Sequence, residues 1–259
     1  MNDKIRKLAV AAAYFAGEEL LDRYKKFNRK DEKFKSAHEI VTAADLAAEK
    51  IILATIKKAF PLHEILSEEA GKSGRNSDYL WVVDPLDGTH NFSFHNPLWA
   101  VSIAVFYKQE IILGVIFAPV LNELYVAEKY SGAWLNGQRI SVSKIRGAKS
   151  MNAFCHSSQK KDIKKSLKYY NYHKLKDLDI RQLGSAALEL SYVAAGRLES
   201  IYIPGANSWD VAAGALLVRE AGGKVTDANN KDWKIGSREL LGSNKAVHNG
   251  LLKVIQKLK

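Results

Sequence analysis

The sequence has very little cysteine and no long apolar run, and each shortage excludes a class of protein. Its 259 residues include one cysteine, Cys155, so no disulfide can form within the chain. A chain without disulfides fits a reducing compartment, and we expect a cytoplasmic protein. The longest apolar runs are far shorter than the roughly 20 residues of a membrane-spanning helix, so no transmembrane segment is predicted. Internal repeats and low-complexity linkers are also absent from the sequence.

The composition is that of a globular protein with an excess of positive charge. Apolar residues make up 47% of the chain and charged residues 26%. This length allows one large domain or two closely joined ones, with a substantial core. The 39 basic and 28 acidic residues give a formal charge of +11. That excess favours anionic partners, either phosphorylated metabolites or nucleic acid, and does not choose between them.

The N-terminal segment has two interpretations. Basic residues precede the apolar stretch Leu8–Gly17, as they do in a signal peptide. The stretch continues into charged sequence, however, and five apolar residues in and around it keep roughly helical spacing: Ile5, Leu8, Ala12, Phe15 and Leu20. We therefore predict an amphipathic helix that docks on the domain.

Local patterns divide the chain into an α+β half, residues 1–143, and an α/β half, residues 144–259. In the first half we predict helical segments at Asp3–Lys26, Thr42–Ala59 and Glu69–Ser77, and strands at Leu80–Val83, Ala100–Tyr107, Ile111–Ala118 and Glu123–Glu128. Hairpin turns are predicted at Lys108–Glu110 and at Asn136–Gly137. In the second half we predict strands at Met151–Ser157, Leu175–Arg181, Ser200–Ile203 and Lys224–Thr226, and helices at Lys161–Tyr170, Ala186–Ala195 and Val211–Ala221. The predicted fold class is α+β with α/β character, with mixed sheets covered by helices.

A lysine-rich run, Lys160–Lys176, carries much of the excess charge and interleaves lysines with tyrosines. Such a run is typical either of an RNA-contacting surface or of the solvated face of an amphipathic helix. The solvated helix face is the commoner case, and we predict it here. RNA contact stays as the alternative.

The stretch WVVDPLDGTHNF, residues 81–92, ends a buried-looking strand on two carboxylates and a glycine. Trp81–Val83 suits a strand buried on both faces, and Pro85 is expected to end it just after Asp84. Asp84 and Asp87 then lie close together in a tight turn, where two carboxylates repel unless a cation lies between them. Oxygen-rich ligation of this kind suits Mg²⁺, and the carbonyl of Leu86 is a further candidate ligand.

Gly88 and Thr89 directly follow the two aspartates. A glycine lets the backbone approach a ligand closely, and amides at a turn or helix start bind phosphate. The hydroxyl of Thr89 would be available to position an attacking water. The alternative is an Asp-Pro-x-Asp-Gly surface turn without chemistry, which is common, and the stretch alone leaves both interpretations open.

Other carboxylates have ordinary structural explanations when each is taken singly. Glu68 and Glu69 in ILSEEAG fit a surface or helix-terminal pair. Asp210 directly precedes a predicted helix, and Asp45 follows Thr42 by three residues, so their default roles are an N-cap and a capping box. Only a shared site would give these residues a common function.

WVVDPLDGTHNF, with SEEAG before it and SWDVAAG after it, resembles the inositol monophosphatase family of Mg²⁺-dependent, lithium-sensitive phosphatases. The resemblance extends from IVTAAD at residue 40 to EAGGKVTD ending at residue 227. It implies a layered αβαβα sandwich of the sugar-phosphatase type, a single catalytic unit over residues 1–259, and a homodimer. The active site is then expected between the two halves, with Asp210 contributed by the second.

The resemblance also implies a role for each residue of these motifs. Glu68 is expected to bind metal and to act in catalysis, and Asp84 to bridge two metals. The carbonyl of Leu86 would complete the first metal's shell, while Asp87 and Asp210 would hold the second metal.

The remaining expected roles concern water and substrate. Thr89, assisted by Asp45, is expected to orient the nucleophilic water. Six residues are expected to border the substrate: Asp87, Gly88, Thr89, Gly184, Ser185 and Asp210. Two or three Mg²⁺ ions would neutralise the phosphate, lower the pKa of a bound water and stabilise the leaving alkoxide. Phosphoryl transfer requires little else, because it depends mainly on positioning and charge stabilisation.

One position departs from the family pattern. In the animal-type inositol enzymes, a glutamate seven residues before the aspartate of the WD pair contacts sugar hydroxyls, and here that position is Ile203. Isoleucine cannot accept those hydrogen bonds, so the resemblance predicts a phosphate monoester without fixing its alcohol. Inositol 1-phosphate or a related sugar or polyol phosphate is the first expectation. The alternatives are fructose 1,6-bisphosphate, histidinol phosphate, a nucleotide 3'-phosphate, or an RNA- or transcription-associated binding role.

Histidine and cysteine are not expected to take part. Mg²⁺ prefers oxygen ligands and the implied mechanism needs no histidine, so His90, His95 and His156 are assigned structural or rim roles. Cys155 and His156 are adjacent on a predicted strand and would point to opposite faces, which excludes a catalytic dyad.

Overall fold

The computed structural model describes residues 3–26, 33–36, 39–41, 43–73 and 77–258. The capping box predicted at Thr42 falls outside these residues. In the first half the elements are α1 (Asp3–Lys26), β1 (Lys33–Ser36), β2 (Glu39–Val41), α2 (Ala43–Ala59), β3 (Glu64–Ser67), β4 (Gly71–Ser73), β5 (Tyr79–Asp87), α3 (Thr89–Ser93), β6 (Ala100–Tyr107), β7 (Glu110–Ala118), β8 (Glu123–Glu128), β9 (Gly132–Leu135) and β10 (Gln138–Ile140). In the second half they are β11 (Met151–Phe154), α4 (Lys160–Lys174), β12 (Asp179–Arg181), α5 (Ala186–Ala194), β13 (Ser200–Pro204), α6 (Ser208–Glu220), β14 (Lys224–Thr226), β15 (Glu239–Ser243) and α7 (Lys245–Lys257).

Two large mixed sheets organise these elements. The first has eight strands in the order β10-β9-β8-β7-β6-β5-β3-β4, antiparallel except for the parallel pair β3–β5. The second has five strands in the order β12-β11-β13-β15-β14, in which β12, β11 and β13 are parallel and β15 is antiparallel to both of its neighbours. β1 and β2 form a separate antiparallel pair.

Helices cover both sheets and fill the space between them. α1 and α2 pack together on the outer face of the eight-stranded sheet, and α5 and α6 lie between the two sheets. α4 and α7 cover the far face of the five-stranded sheet. Because α5 and α6 contact a sheet on each side, their apolar residues face both ways rather than along one stripe. The five layers confirm the predicted fold class, an αβαβα sandwich.

Several predicted elements are confirmed and some are wrong. α1 has the predicted bounds and buries Ile5, Ala12 and Leu20, whereas Phe15 is 56% exposed. Both predicted hairpins form, and the two residues of the Asn136–Gly137 turn have the positive φ angles of a tight hairpin turn. The helical segment predicted at Glu69–Ser77 is wrong, because the chain turns at residues 68–70 and continues as β4. None of the described helices has the length and apolarity needed to cross a membrane.

His248 lies buried near the start of α7 and joins that helix to the edge of the five-stranded sheet. Its Nδ1 lies 2.7 Å from the Ser243 hydroxyl and its Nε2 lies 3.0 Å from the Thr226 hydroxyl. Burial, with a smaller contribution from Lys224, lowers the pKa of His248 to about 4. The folded protein therefore binds this proton only at strongly acidic pH.

We expect His248 to make the fold less stable in mild acid. Its pKa is lower in the folded than in the unfolded chain, so its contribution is intact above an unfolded pKa of about 6.5 and is lost as pH falls toward 4. Between pH 7.5 and 5 the loss should be about 2 kcal/mol of unfolding free energy. Urea unfolding of the wild type and of His248→Gln at both pH values measures it, since other groups titrate alike in both proteins. Equal pH dependence in the two proteins would contradict the assignment.

Candidate functional site

The first four residues of DPLDGT form the end of β5, an interior strand of the eight-stranded sheet, and its Thr89 begins α3. The prediction that Pro85 ends the strand is wrong, because β5 continues to Asp87. Pairing with β6 shifts register between Asp84 and Asp87, where β5 has one residue more than its partner. Pro85 lies in this irregularity, where a residue without an N–H is tolerated. The bulge places both aspartates at the end of one buried strand.

Asp84 is almost completely buried and lies among other carboxylates. Its Oδ1 accepts a hydrogen bond of 3.0 Å from the N–H of Leu86. Burial raises the pKa of Asp84 well above its usual range, and further increases come from four nearby carboxylates: Glu68, Asp87, Asp210 and Asp45. The structure thus brings together all five acidic residues that the sequence predicted for the site.

Asp87 connects the two halves of the chain. Its Oδ2 accepts hydrogen bonds from the hydroxyl of Ser185 and from the N–H of Ala187, the latter 3.0 Å long. Ser185 is also the N-cap of α5, where its oxygen accepts from the N–H of Leu188. Burial raises the pKa of Asp87 to about 6, although these hydrogen bonds act in the opposite direction. Asp87 therefore depends on the start of α5 for its position.

Asp210 has a structural role and a place in the site at the same time. α6 begins at Ser208, earlier than predicted, and Asp210 forms a capping box with the N-cap residue Asn207. Burial raises the pKa of Asp210 well above its usual range, with Glu68 and Asp87 as the next causes. The predicted N-cap role is thus corrected to the third position of the helix.

Glu68 lies in the turn between β3 and β4, and hydrogen bonds join this turn to β5 and to α2. Its N–H donates to the carbonyl of Val83 on β5, with a nitrogen–oxygen distance of 3.2 Å. On either side of Glu68, Ser67 Oγ and Ala70 N donate to Glu49 Oε1 over 2.5 and 2.9 Å. The sequence analysis missed Glu49. Glu49 follows Asp45 by one turn of α2, so the two carboxylates lie on the same face of that helix, and this spacing was the available signal.

A cleft of about 210 Å³ opens beside these residues, between the first and second halves of the chain. Six of the predicted site residues line it: Glu68, Asp87, Gly88, Thr89, Gly184 and Asp210. The other four are buried behind it: Asp45, Asp84, Leu86 and Ser185. Of the described residues that line the cleft, none is a lysine or an arginine.

The cleft also contains residues that the sequence analysis missed or assigned differently. Ile203 forms part of its wall, as the sequence analysis expected. The segment 205–207 also does, and it was missed, although its proximity to SWD was an available signal. β11 ends at Phe154, and Cys155 and His156 follow it and both line the cleft, with His156 Nε2 3.4 Å from Gln182 Nε2. Burial, followed by Glu189, raises the pKa of the Cys155 thiol well above its usual range. A protonated thiol is a poor nucleophile, which supports the prediction that these two residues form no catalytic dyad.

The donor set fits a hard divalent cation. Across the described ranges, no three histidine, cysteine, aspartate or glutamate side chains are already grouped so that they hold an ion. The raised pKa values nevertheless show buried carboxylates that repel each other at the edge of the cleft. A cation would offset that repulsion, and oxygen donors of this kind suit Mg²⁺ better than a softer metal.

Comparison with known proteins agrees with this geometry. The inositol monophosphatase family matches residues 1–259. The chain is 38% identical over 256 residues to Nus factor SuhB of Pseudomonas aeruginosa, covering 96% of this chain and 94% of that protein. It is 36% identical over 258 residues to inositol-1-monophosphatase of Mesorhizobium japonicum, again covering 96% and 94%. The solved structure of extragenic suppressor protein suhB from Bartonella henselae has a TM-score of 0.91 at 34% identity and covers 98% of this chain and 99% of that one. The chain therefore belongs to the inositol monophosphatase family.

Proposed function

We propose that the protein hydrolyses a small phosphate monoester in a Mg²⁺-dependent reaction that releases inorganic phosphate and an alcohol. The observation that supports this most is the charge of the cleft. Its lining residues include three carboxylates, from Glu68, Asp87 and Asp210, and no lysine or arginine among those described, in a chain of net charge +11. A phosphate dianion binds beside three carboxylates only if cations lie between them.

Five groups would hold the metal: the carboxylates of Glu68, Asp84, Asp87 and Asp210, and the carbonyl of Leu86. Bound Mg²⁺ would supply positive charge to the phosphate and lower the pKa of a coordinated water. The chain itself keeps these donors in place, because Asp87 is fixed by Ser185 and Ala187 and Asp210 by Asn207.

Thr89 is suited to orient the attacking water. Its hydroxyl donates to the carbonyl of Leu86 over 3.1 Å, so its oxygen can accept a hydrogen bond from a water in the cleft. We propose that Asp45, within electrostatic range of Asp84, assists Thr89. Gly88 lines the cleft beside these groups, and the lack of a side chain lets its backbone pack against the carbonyl of Leu98.

The alcohol is proposed to be a sugar or polyol, with inositol 1-phosphate as the first candidate. One support is that a relative of 36% identity is named inositol-1-monophosphatase. Ile203, however, gives the cleft an apolar wall together with Ala206, so polyols gain no hydrogen bond there. Fructose 1,6-bisphosphate, histidinol phosphate and nucleotide 3'-phosphates therefore belong in the same test. We also propose that the protein forms a homodimer and is inhibited by Li⁺. A cytoplasmic location completes the proposal, and the single cysteine supports that location.

Phosphate release across these substrates, with Mg²⁺ and with EDTA, tests the proposal. We expect Mg²⁺-dependent turnover of at least one monoester, no turnover in EDTA, and inhibition by Li⁺ but not by K⁺ at equal ionic strength. Equal turnover with and without Mg²⁺ would contradict the metal mechanism. No release from any monoester would overturn the proposed activity.

A second candidate function is contact with RNA, supported by α4 and by a relative of 38% identity named Nus factor SuhB. α4 buries one stripe, as predicted for an amphipathic helix, and exposes Lys160, Lys161 and Lys164. Lys165 is instead paired with Glu239, so it belongs to the fold rather than to a free surface.

Reversing the charge of Lys160, Lys161 and Lys164 to Glu should weaken any RNA binding at low salt. The matched control reverses Lys50, Lys57 and Lys58, which are exposed on α2 in the opposite outer layer of the sandwich. Fluorescence anisotropy with labelled RNA should show a loss for the α4 variant and little change for the α2 variant, with affinity falling as salt rises. If the wild type binds no RNA at low salt, this candidate is wrong.

A further inference from the structure

The backbone of Leu183, beside the cleft, is held through both its N–H and its carbonyl. The N–H of Leu183 donates to Glu189 Oε1 over 2.7 Å, and its carbonyl accepts from Asn91 Nδ2 over 2.8 Å. Glu189 lies on α5, whereas Asn91 lies on α3, directly after the DPLDGT stretch. Both halves of the chain therefore fix the backbone just before Gly184.

Burying the carboxyl group of Glu189 costs more free energy than a purely structural contact requires. It is completely buried, and in the described part of the chain its Oε2 has no hydrogen-bond partner. Burial, with Asp87 as a smaller cause, raises the pKa of Glu189 well above its usual range. An apolar side chain of similar size would avoid the cost of burying this group, so a reason beyond packing is needed.

Asn91 holds the segment from the opposite side. Its Nδ2 also donates to the carbonyl of Leu98 over 2.7 Å, and its Oδ1 accepts from Asn96 Nδ2 over 3.0 Å. The Asn91 amide lies so close to Gly184 that a Cβ there would come within 3.2 Å of Nδ2. Gly184 itself lines the cleft, so any movement of this amide changes the wall that a substrate meets.

We propose that Glu189 and Asn91 are positioning residues that hold the segment Leu183–Ser185 against the organic part of the substrate. This inference rests on the proposed phosphatase function. The far end of the segment is fixed separately, because Ser185 donates to Asp87. Loss of the contact at Leu183 should therefore loosen the substrate-facing wall more than the phosphate-facing carboxylates, and raise KM more than it lowers kcat.

Two substitutions of Glu189 separate positioning from packing. Glu189→Gln keeps a carbonyl acceptor for Leu183, whereas Glu189→Leu removes the acceptor and keeps the side chain's size. We expect Glu189→Leu to raise KM for the best monoester about tenfold with kcat within about threefold, and Glu189→Gln to stay near the wild type. Asn91→Ala should raise KM similarly, and the double variant with Glu189→Leu should add little, because both act on the backbone of one residue, Leu183.

Glu199→Leu is the matched control. Glu199 is also a buried glutamate that accepts a backbone N–H, from Met151, but it does not line the cleft. The substitution Glu199→Leu should lower the melting temperature without changing KM. If Glu189→Leu behaves in the same way, its role is structural only and the inference is wrong.

Amide hydrogen exchange at residues 183–185 provides a readout that needs no activity. Exchange should be faster in Glu189→Leu than in Glu189→Gln, and no difference would overturn the inference. A wild type that hydrolyses no monoester would instead overturn the proposed function, while hydrogen exchange would still decide whether the contact holds the segment.

Discussion

Asp84→Asn should abolish phosphate release and, at the same time, stabilise the metal-free protein. Asp84 is 2% exposed, and burial and four neighbouring carboxylates raise its pKa. A carboxyl whose folded pKa is raised destabilises the fold above its unfolded pKa, and therefore at neutral pH. Asparagine removes the charge and keeps an oxygen that can accept from the N–H of Leu86. We expect a gain of about 1–3 kcal/mol in unfolding free energy and a loss of at least about 1000-fold in kcat/KM.

Thermal unfolding in EDTA and phosphate release in Mg²⁺ measure the two effects separately. Adding Mg²⁺ should stabilise the wild type and stabilise Asp84→Asn much less, since binding to the folded state alone shifts the unfolding equilibrium. Asp78→Asn is the matched control, because Asp78 is exposed one residue before β5 and its carboxylate lies 3.9 Å from Lys108 Nζ in a solvent-exposed ion pair. Full activity in Asp84→Asn would exclude it as a metal ligand. A lower melting temperature in EDTA would show that the carboxylates do not repel as inferred.

The grouping of the candidate site's carboxylates was largely predictable because these residues lie in short ordered motifs. DPLDGT, SEEAG and SWDVAAG each carry their own turn or capping signal, and the fold brings their carboxylates together. Asp210 shows why each motif was ambiguous on its own. The capping box at the start of α6 already explains an aspartate at position 210. A role in the site is indicated only by the proximity of Asp210 to Glu68 and Asp87.

The parts that were missed depend on contacts between distant segments. Glu49 accepts from both sides of the Glu68 turn, and the hydrogen bonds from Ser185 and Ala187 to Asp87 connect β5 to α5. No local periodicity encodes such pairs. The continuation of β5 beyond Pro85 was missed for a related reason, because the bulge exists only through its register against β6.

Some misses were local and have simpler causes. β3, β4 and β15 are strands of three to five residues, too short for alternation to be recognised. Glycine at position 71, which has a positive φ, allows the tight turn from β3 into β4 where a helical segment was expected. α7 was also missed, although the helical spacing of its buried residues Leu252 and Ile255 could have predicted it.

Gly88→Ala should damage both stability and activity, far more than the same change at a comparable glycine. Gly88 has a φ of +91°, and a Cβ there would lie 2.8 Å from the carbonyl oxygen of Leu98 and 3.2 Å from Trp99 Cα. Gly222 has almost the same φ, +90°, with nothing within 4 Å of the Cβ position. Gly222→Ala therefore measures backbone strain alone, about 1–2 kcal/mol, whereas Gly88→Ala adds the clash and should cost about 3–5 kcal/mol.

The effect on activity follows from where the clash can be relieved. The opposing atoms belong to the backbone of Leu98, whose carbonyl is held by Asn91, and of the buried Trp99 before β6, so we expect the shift in the stretch Asp87–Thr89. A displacement of about 1 Å in such a group can cost about 100-fold in rate, and we expect a loss of that order in kcat at saturating Mg²⁺. Denaturant unfolding and phosphate release on both variants measure it. Equal stability in the two variants, with wild-type activity in Gly88→Ala, would mean that the backbone beside Asp87 and Thr89 tolerates a side chain.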